Sequence, residues 1–394
     1  MSEGPDSRRP LNWPTTLFIV GTSLGALAWP VYAWFFGVSG AEVALALAYF
    51  VATGMAITVG YHRLISHRTF ECRAWMKAVL LAVGAAAWQG SALEWASDHL
   101  VHHAHTDTEA DPYNIKEGFW HAHIGWLFRK RPLSENPPEF LTSDRLIMLQ
   151  HRFYIPIAVT VSFLIPLAIC GIGGLLLAGV VRVVVGHHTT WLINSWAHTG
   201  GSRPYNQEVS AVDNWLVAFF TFGEGWHNYH HSFPSDYRNG TSPLAWDPSK
   251  WAIAVLSVCR VTWGLQRVGV VSRWRQRVRN TISHVGEDAG RAGYLRSLKL
   301  ALEKQRLHTS ERLERKMKKL AKLEIPAYVN AIQLRDWLSQ SAGELKASVA
   351  QVSARRLARV QELANAVITY DRLMAKLEAC EQHLCAVALA PTAA

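Results

Sequence analysis

Four apolar runs dominate the first half of this 394-residue chain, at roughly 15–38, 43–61, 154–172 and 173–193. Each is close to the ~20 residues that a helix needs to cross the hydrocarbon of a bilayer. In lipid every backbone polar group must be satisfied within the segment, so runs of this kind are expected to be helices. They pair as two hairpins, with short turns around Ser39 and at 171–174, and neither turn carries Lys or Arg. Cationic residues gather instead at the N-terminus, after the second run (Arg63, Arg68, Arg73, Lys77) and before the third (Arg129, Lys130, Arg131, Arg145, Arg152). The positive-inside bias then places both termini, and the segments between the hairpins, on the cytoplasmic face. A fifth apolar stretch, 78–93, is expected to lie in a cytosolic cap or at the interface, since a crossing there would break that bias. Arg182, inside the fourth run, needs a partner, because intramembrane charge is costly.

The expected fold is therefore all-α and integral to the membrane: four transmembrane helices, a cytosolic helical cap and a C-terminal extension. The domain division is 1–270 and 271–394. Beyond about residue 270 the composition turns to Arg, Lys, Glu, Leu and Ala. Val360, Leu363, Val367, Tyr370, Met374 and Leu377 form a heptad seam, which predicts a helix packed on another helix. That partner is either the segment 295–323 or a second chain. The net charge of +10 suits anionic lipid better than nucleic acid, for which no motif is present. Five scattered cysteines without a C-x-x-C pair read as reduced thiols. The polar opening MSEGPDSRRP does not read as a cleaved signal peptide.

Of 18 histidines, 15 fall between His62 and His231. They form four groups: His62 with His67; His99 with His102 and His103; Asn194 with His198; and His227 with His230 and His231. In an α-helix, positions i, i+3 and i+4 share a face, so each H-x-x-H-H is expected to aim three imidazoles at one point. His62 and His67 diverge by about 140° on an ideal helix, and are expected to serve two metals or to sit where the helix ends. Neutral imidazole suits Fe, Zn, Cu and Ni. A structural zinc site needs only four ligands, so nine histidines point to two metals. His105, His121, His123, His151, His187 and His188 lack this clustering and are expected to be structural or surface residues.

These residues resemble the membrane desaturases of the stearoyl-CoA desaturase type, over roughly residues 15–265. The likeness is carried by HRLISHR at 62–68, DH and HH within 98–103, EADPYN at 109–114, HIGWLF at 123–128, NSWAH at 194–198, SRPYN at 202–206 and GEGWHNYHHSFPSDY at 223–237. The resemblance implies a mushroom-like arrangement with a di-iron centre. Its ligands would be His62, His67, His99, His102, His103, His198, His227, His230 and His231, with Asn194 near one iron. It implies O2 as co-substrate and a cis double bond, at the Δ9 position, in a long acyl chain. An unactivated methylene offers no acidic proton, so a metal-bound oxidant is needed.

Glu94, Asp98, Asp107, Asp111 and Glu224 are candidates to accept the outer imidazole N–H groups. Phe50, Thr53, Gly54 and Ile57, with Trp95 and Trp191, are candidate walls of an apolar tunnel; Trp120 and Trp196 are further candidates. Animal acyl-CoA enzymes of this type carry Arg where this chain has Ser97 and Leu100, and polar residues where it has Gly90 and Ser91. Glu117 replaces a basic residue beside Lys116. The substrate is thus expected on CoA or on a lipid. The sequence holds no haem-binding His-Pro-Gly-Gly and no convincing dinucleotide fingerprint, so a separate electron donor is expected, a b5-type cytochrome or a ferredoxin with its reductase. Other readings are a related membrane hydroxylase or alkane monooxygenase, and a non-catalytic metal carrier or scaffold.

Overall fold

The computed structural model describes residues 9–130 and 137–269, and beyond these 272–273, 276–277 and Asn280. The heptad seam and the rest of the extension lie outside the described residues. Contacts divide the chain after Arg267, and the first unit holds the long apolar helices and the clustered histidines.

Among the described residues, three helices are long and apolar enough to cross a membrane: α1 (Trp13–Phe36), α2 (Gly40–Ser66) and, after several shorter helices, α6 (Tyr154–His198). Their outer surfaces are greasy and open: only 6% of the most apolar window of α1 is buried, and Leu24, Val31, Trp34 and Phe35 are exposed. Apolar surface this extensive requires lipid or a partner to cover it.

The turn expected around Ser39 is built by a capping box. Ser39 Oγ accepts from Glu42 N (3.2 Å) while Glu42 Oε2 accepts from Ser39 N (3.1 Å); an N-cap of this kind is worth about 1 kcal/mol. The other expected turn is a break within α6, at Cys170 and Gly171, where the backbone is non-helical and Gly171 takes φ +62°. The arm after the break returns along the arm before it. Gly179 packs so closely on Phe163 and the Ser162 carbonyl that a Cβ there would press on both.

The apolar stretch 78–93 runs through the end of one helix, a turn and the start of another. Helix α3 (Ala74–Ala85) is too short to cross hydrocarbon, and α4 (Ala92–His105) begins after the turn with a second capping box, Ser91 with Glu94. Helix α5 (Arg145–Arg152) locks them to α2. Gln150 Nε2 donates to Tyr61 Oη at 2.7 Å, and its Oε1 accepts from Ala92 N at 3.0 Å. Around these elements sits a core containing Ile57, Tyr61, Leu64, Leu81, Leu93 and Ile253. Beyond α6 come α7 (Trp215–Phe220), α8 (His227–Ser232) and α9 (Pro248–Val258). A two-residue antiparallel ribbon, β1 (Glu71–Cys72) with β2 (Thr262–Trp263), ties the chain after α2 to the chain after α9.

The second half of α2, Ala56–Ser66, is π-helical. Hydrogen bonds then run from i+5 to i, as from His67 N to the His62 carbonyl at 3.1 Å. Residues five apart therefore stack on successive turns, which puts His67 above His62 on one side of the helix. π-Segments of this kind favour functional sites.

Candidate metal centre

Nine imidazoles converge as two adjoining groups. The first contains His62, His67, His99, His103 and His230; the second contains His102, His198, His227 and His231. Within each group the ligating atoms lie within 4.8 Å of one another. The contacts run Nε2 to Nε2. In the first group His62 meets His230 at 2.9 Å, His230 meets His103 at 2.9 Å and His67 meets His99 at 2.8 Å. In the second His102 meets His231 at 3.2 Å, His231 meets His227 at 3.1 Å and His227 meets His198 at 3.1 Å.

The tertiary structure chooses between the two alternatives for His62 and His67 and corrects the expectation for the H-x-x-H-H motifs. His62 and His67 do not serve different groups; the π-helical turn brings both to the first, with His67 at the helix end. Neither H-x-x-H-H aims three rings at one point. Helix α4 sends His99 and His103 to the first group and His102 to the second, whereas α8 sends His230 to the first and His227 with His231 to the second. Adjacent residues on a helix diverge by about 100°, so a three-histidine motif straddles two centres.

The outer nitrogens decide the chemistry of the inner ones. His102 Nδ1 lies 2.8 Å from Asp111 Oδ1, and an ionised carboxylate only accepts, so Nδ1 carries the proton and Nε2 is left with its lone pair. His62 Nδ1 lies 2.8 Å from Glu224 Oε2, at ion-pair distance but without hydrogen-bond alignment. His198 Nδ1 lies 2.6 Å from Ser210 Oγ, and that hydroxyl donates in turn to Asp107. Nε2 of His102 and His198 thus faces inward with a lone pair available to a cation held by their group. Burial foremost, then neighbouring imidazoles, hold His99, His103, His230 and His231 well below the ordinary histidine pKa, and His227 at about 3. Neutral imidazole is the ligating form. The donor set therefore fits two metal ions.

Glu224 is held by more than His62. Arg63, fully buried, donates Nη2 to Glu224 Oε1 at 3.0 Å, faces Asp247 at 3.0 Å and donates Nη1 to the Tyr237 carbonyl at 2.9 Å. Asn239 Nδ2 donates to Glu224 Oε2 at 2.7 Å. Burial pushes the Glu224 carboxyl up, but His62 and Arg63 outweigh it and hold it at about 2. In the sequence Arg63 counts only among the cations expected on the cytoplasmic side; in the structure it is an interior counter-ion. The signal available was its place between two candidate ligands.

A cavity of about 810 Å³ opens onto both groups, at His62, His99, His102 and His227. Phe50, Thr53, Gly54, Ile57, Trp95 and Trp191 all line it, as do Asn194, Asp98 and Glu94. Glu94 is occupied in capping its own helix, with Oε2 accepting from Ser91 N at 2.9 Å. Trp120 is 72% exposed and lies off the cavity wall. Trp196 is half-buried, and its ring stands against Gly200. Sequence reasoning missed Ser210, Gln89 and Thr190. Gln89 bridges two walls of the cavity, donating to Thr190 Oγ1 at 2.9 Å and accepting from Trp95 Nε1 at 3.2 Å.

The family model for fatty acid desaturases matches residues 40–247, which contain all nine clustered histidines. The chain belongs to the fatty acid desaturase family. It is 38% identical over 297 residues to a probable acyl-CoA desaturase of Schizosaccharomyces pombe, covering 68% of this chain and 60% of that protein. It is 37% identical over 273 residues to acyl-CoA desaturase 1 of Saccharomyces cerevisiae, covering 65% and 52%. An sn-1 stearoyl-lipid 9-desaturase of Anabaena variabilis is 36% identical over 244 residues, 61% of this chain and 88% of the relative. The chain thus spans little more than half the length of the two yeast proteins.

Proposed function

We propose that this chain is an O2-dependent fatty acyl desaturase that places a cis double bond, at the Δ9 position, in a long acyl chain. The observation that carries the reading is the junction of two imidazole clusters with one long, largely apolar-walled cavity. Two iron ions fit the donor set and the family. His62, His67, His99, His103 and His230 would hold one ion; His102, His198, His227 and His231 would hold the other, with Asn194 beside the second group. Bound iron supplies the oxidising power that removes hydrogen from an unactivated methylene. Balance requires two electrons and two protons from outside, which with two hydrogens of the acyl chain reduce O2 to water.

The protein's own part is positioning. Asp111, Glu224 and the Ser210–Asp107 pair fix ring orientation and leave Nε2 free. The walls built by Phe50, Ile57, Trp95 and Trp191 hold the chain and exclude water.

The hairpin within α6 and the open apolar faces support four crossings. The distribution of Lys and Arg supports a cytoplasmic metal centre and cytoplasmic termini. The acyl carrier is CoA or a lipid; relatives named for each carrier are similarly close. Electrons come from a separate b5-type cytochrome or a ferredoxin with its reductase. The extension beyond residue 270 serves self-association, lipid attachment or donor docking, so truncation there leaves metal binding intact.

The deciding experiment is expression in cells unable to make unsaturated fatty acids, followed by lipid mass spectrometry. New monounsaturated chains are expected. A hydroxylated product in their place would assign the chain to the related hydroxylases.

A further inference from the structure

Arg182 has no part in the metal chemistry, yet it is buried in the apolar second arm of α6. It stands twelve residues before Asn194, or about 18 Å along the helix. A cation in such a segment is costly unless its charge is satisfied locally. Its hydrogen-bond partners are neutral. Nη1 donates to the Ala86 carbonyl at 2.7 Å, Nη2 to Ser162 Oγ at 2.7 Å and Nε to the Ala178 carbonyl at 3.0 Å. The guanidinium also lies 5.7 Å from the centre of the Tyr49 ring.

The Ala86 carbonyl opens the turn between α3 and α4, and α6 grips that turn again further along. His187 Nε2 stands 3.0 Å from the carbonyls of both Ala87 and Trp88, and Thr190 accepts from Gln89. Gly90 N donates to Tyr154 Oη, at the start of α6, at 3.1 Å. Every residue from Ala86 to Gly90 is therefore tied to one long helix.

The turn so held is strained. Trp88 takes φ +56°, a left-handed conformation unfavourable for a bulky residue, and Gly90 takes φ +90°. The Trp88 ring stacks on Phe18 with centroids 4.4 Å apart, and Phe163 lies 5.5 Å away. Strain over-determined in this way marks ligand clamps. Ala87, Trp88, Gln89 and Gly90 all line the cavity that opens onto the histidines. They form part of the wall along which an acyl chain would lie.

We propose that Arg182 and His187 are specificity-determining positioning residues, which hold the Ala86–Gly90 turn by its carbonyls and so set which carbon–carbon bond lies against the metal clusters. The inference rests on the desaturase reading of the cavity. Neither residue touches the reacting atoms; both act through the turn. A rigid wall fixes the point at which the chain bends, and a wall free to shift by one methylene admits neighbouring bonds to the same position.

The test is product analysis of the full-length enzyme in membranes, comparing the parent with His187→Leu, Arg182→Met and Arg182→Lys. The position of the double bond is read by mass spectrometry after chemical derivatisation, and metal content is measured on the same preparations. The parent is expected to give one dominant position. His187→Leu and Arg182→Met are expected to keep their metal and to raise neighbouring positional isomers on the order of tenfold, and Arg182→Lys to raise them less. Peptide-level hydrogen exchange across residues 86–90 is expected to quicken in both donor-deleting variants. Active, metal-loaded variants that keep a single position overturn the clamp. If Arg182→Met does not accumulate, His187→Leu decides alone. Absence of any unsaturated product from the parent overturns the desaturase reading instead, so the two failures are distinct.

Discussion

His102 and His103 are neighbours in the chain but face different partners: His102 Nε2 lies 3.2 Å from His231 Nε2, and His103 Nε2 lies 2.9 Å from His230 Nε2. The peptide between them is the point where α4 divides its imidazoles between the two groups.

That division predicts separable metal losses. His103→Ala should empty the five-histidine group and His102→Ala the four-histidine group, each lowering metal from about two per chain to about one. Elemental analysis of purified protein checks this. Equal retention of two metals in both variants would contradict the assignment of these residues as ligands. Both variants should lose turnover.

Arg63 is the counter-ion for two buried carboxylates, Glu224 and Asp247. Arg63→Met strands both, and breaking a buried pair from one side costs ~3–5 kcal/mol. A large drop in thermal stability is expected, together with weaker metal retention through Glu224 and His62. Glu224→Gln, which keeps the shape, should lose less stability but still weaken metal retention. If Arg63→Met melts with the parent, the network is not holding the fold.

Gly54 lines the cavity, and a Cβ built on it would collide with the Phe222 ring. Gly54→Leu therefore has to displace Phe222, at a typical overpacking cost of ~1–3 kcal/mol. The expected outcome is a shorter preferred acyl chain, read from the product profile. Adding Phe222→Leu to Gly54→Ala should recover stability relative to Gly54→Ala alone. An active Gly54→Leu enzyme with the parent chain-length profile would remove Gly54 from the substrate path.

The metal-free protein should be acid-sensitive. Burial, before any neighbour, keeps His99, His103, His230 and His231 well below their ordinary pKa, and His227 at about 3. Unfolded imidazoles take up protons as pH falls through ~6.5, while the folded ones do not. The unfolded state then binds more protons between ~6.5 and ~3, so stability falls as pH falls through that window. Thermal melts of metal-stripped protein in detergent should shift down between pH 7 and pH 5. Replacing several clustered histidines by Gln should flatten the dependence, and a flat profile in the unsubstituted protein would refute it.

Chain composition alone determined a good deal of this protein. Apolar length marked where the long helices run, because a helix crossing lipid satisfies its backbone within itself and needs no distant partner. Clustered histidines marked the candidate ligands, because the residue types that hold metal are few. Tertiary structure decided the sorting. Spacing left His62 and His67 either to two metals or to a helix end, and united His99 with His102 and His103; the π-helical turn of α2 decided the first, and the arrangement of α4 against α8 reversed the second. That outcome depends on hydrogen bonds shifting from i+4 to i+5 and on helices far apart in sequence meeting face to face, neither of which a local pattern encodes. The same holds for Arg63, one of several cytoplasmic-side cations by position and a buried counter-ion by contact. It also holds for Arg182, whose partners at Ala86 and Ser162 come from two other parts of the chain. Long-range contacts assign such charges because burying a cation is tolerable only where separate elements supply its acceptors.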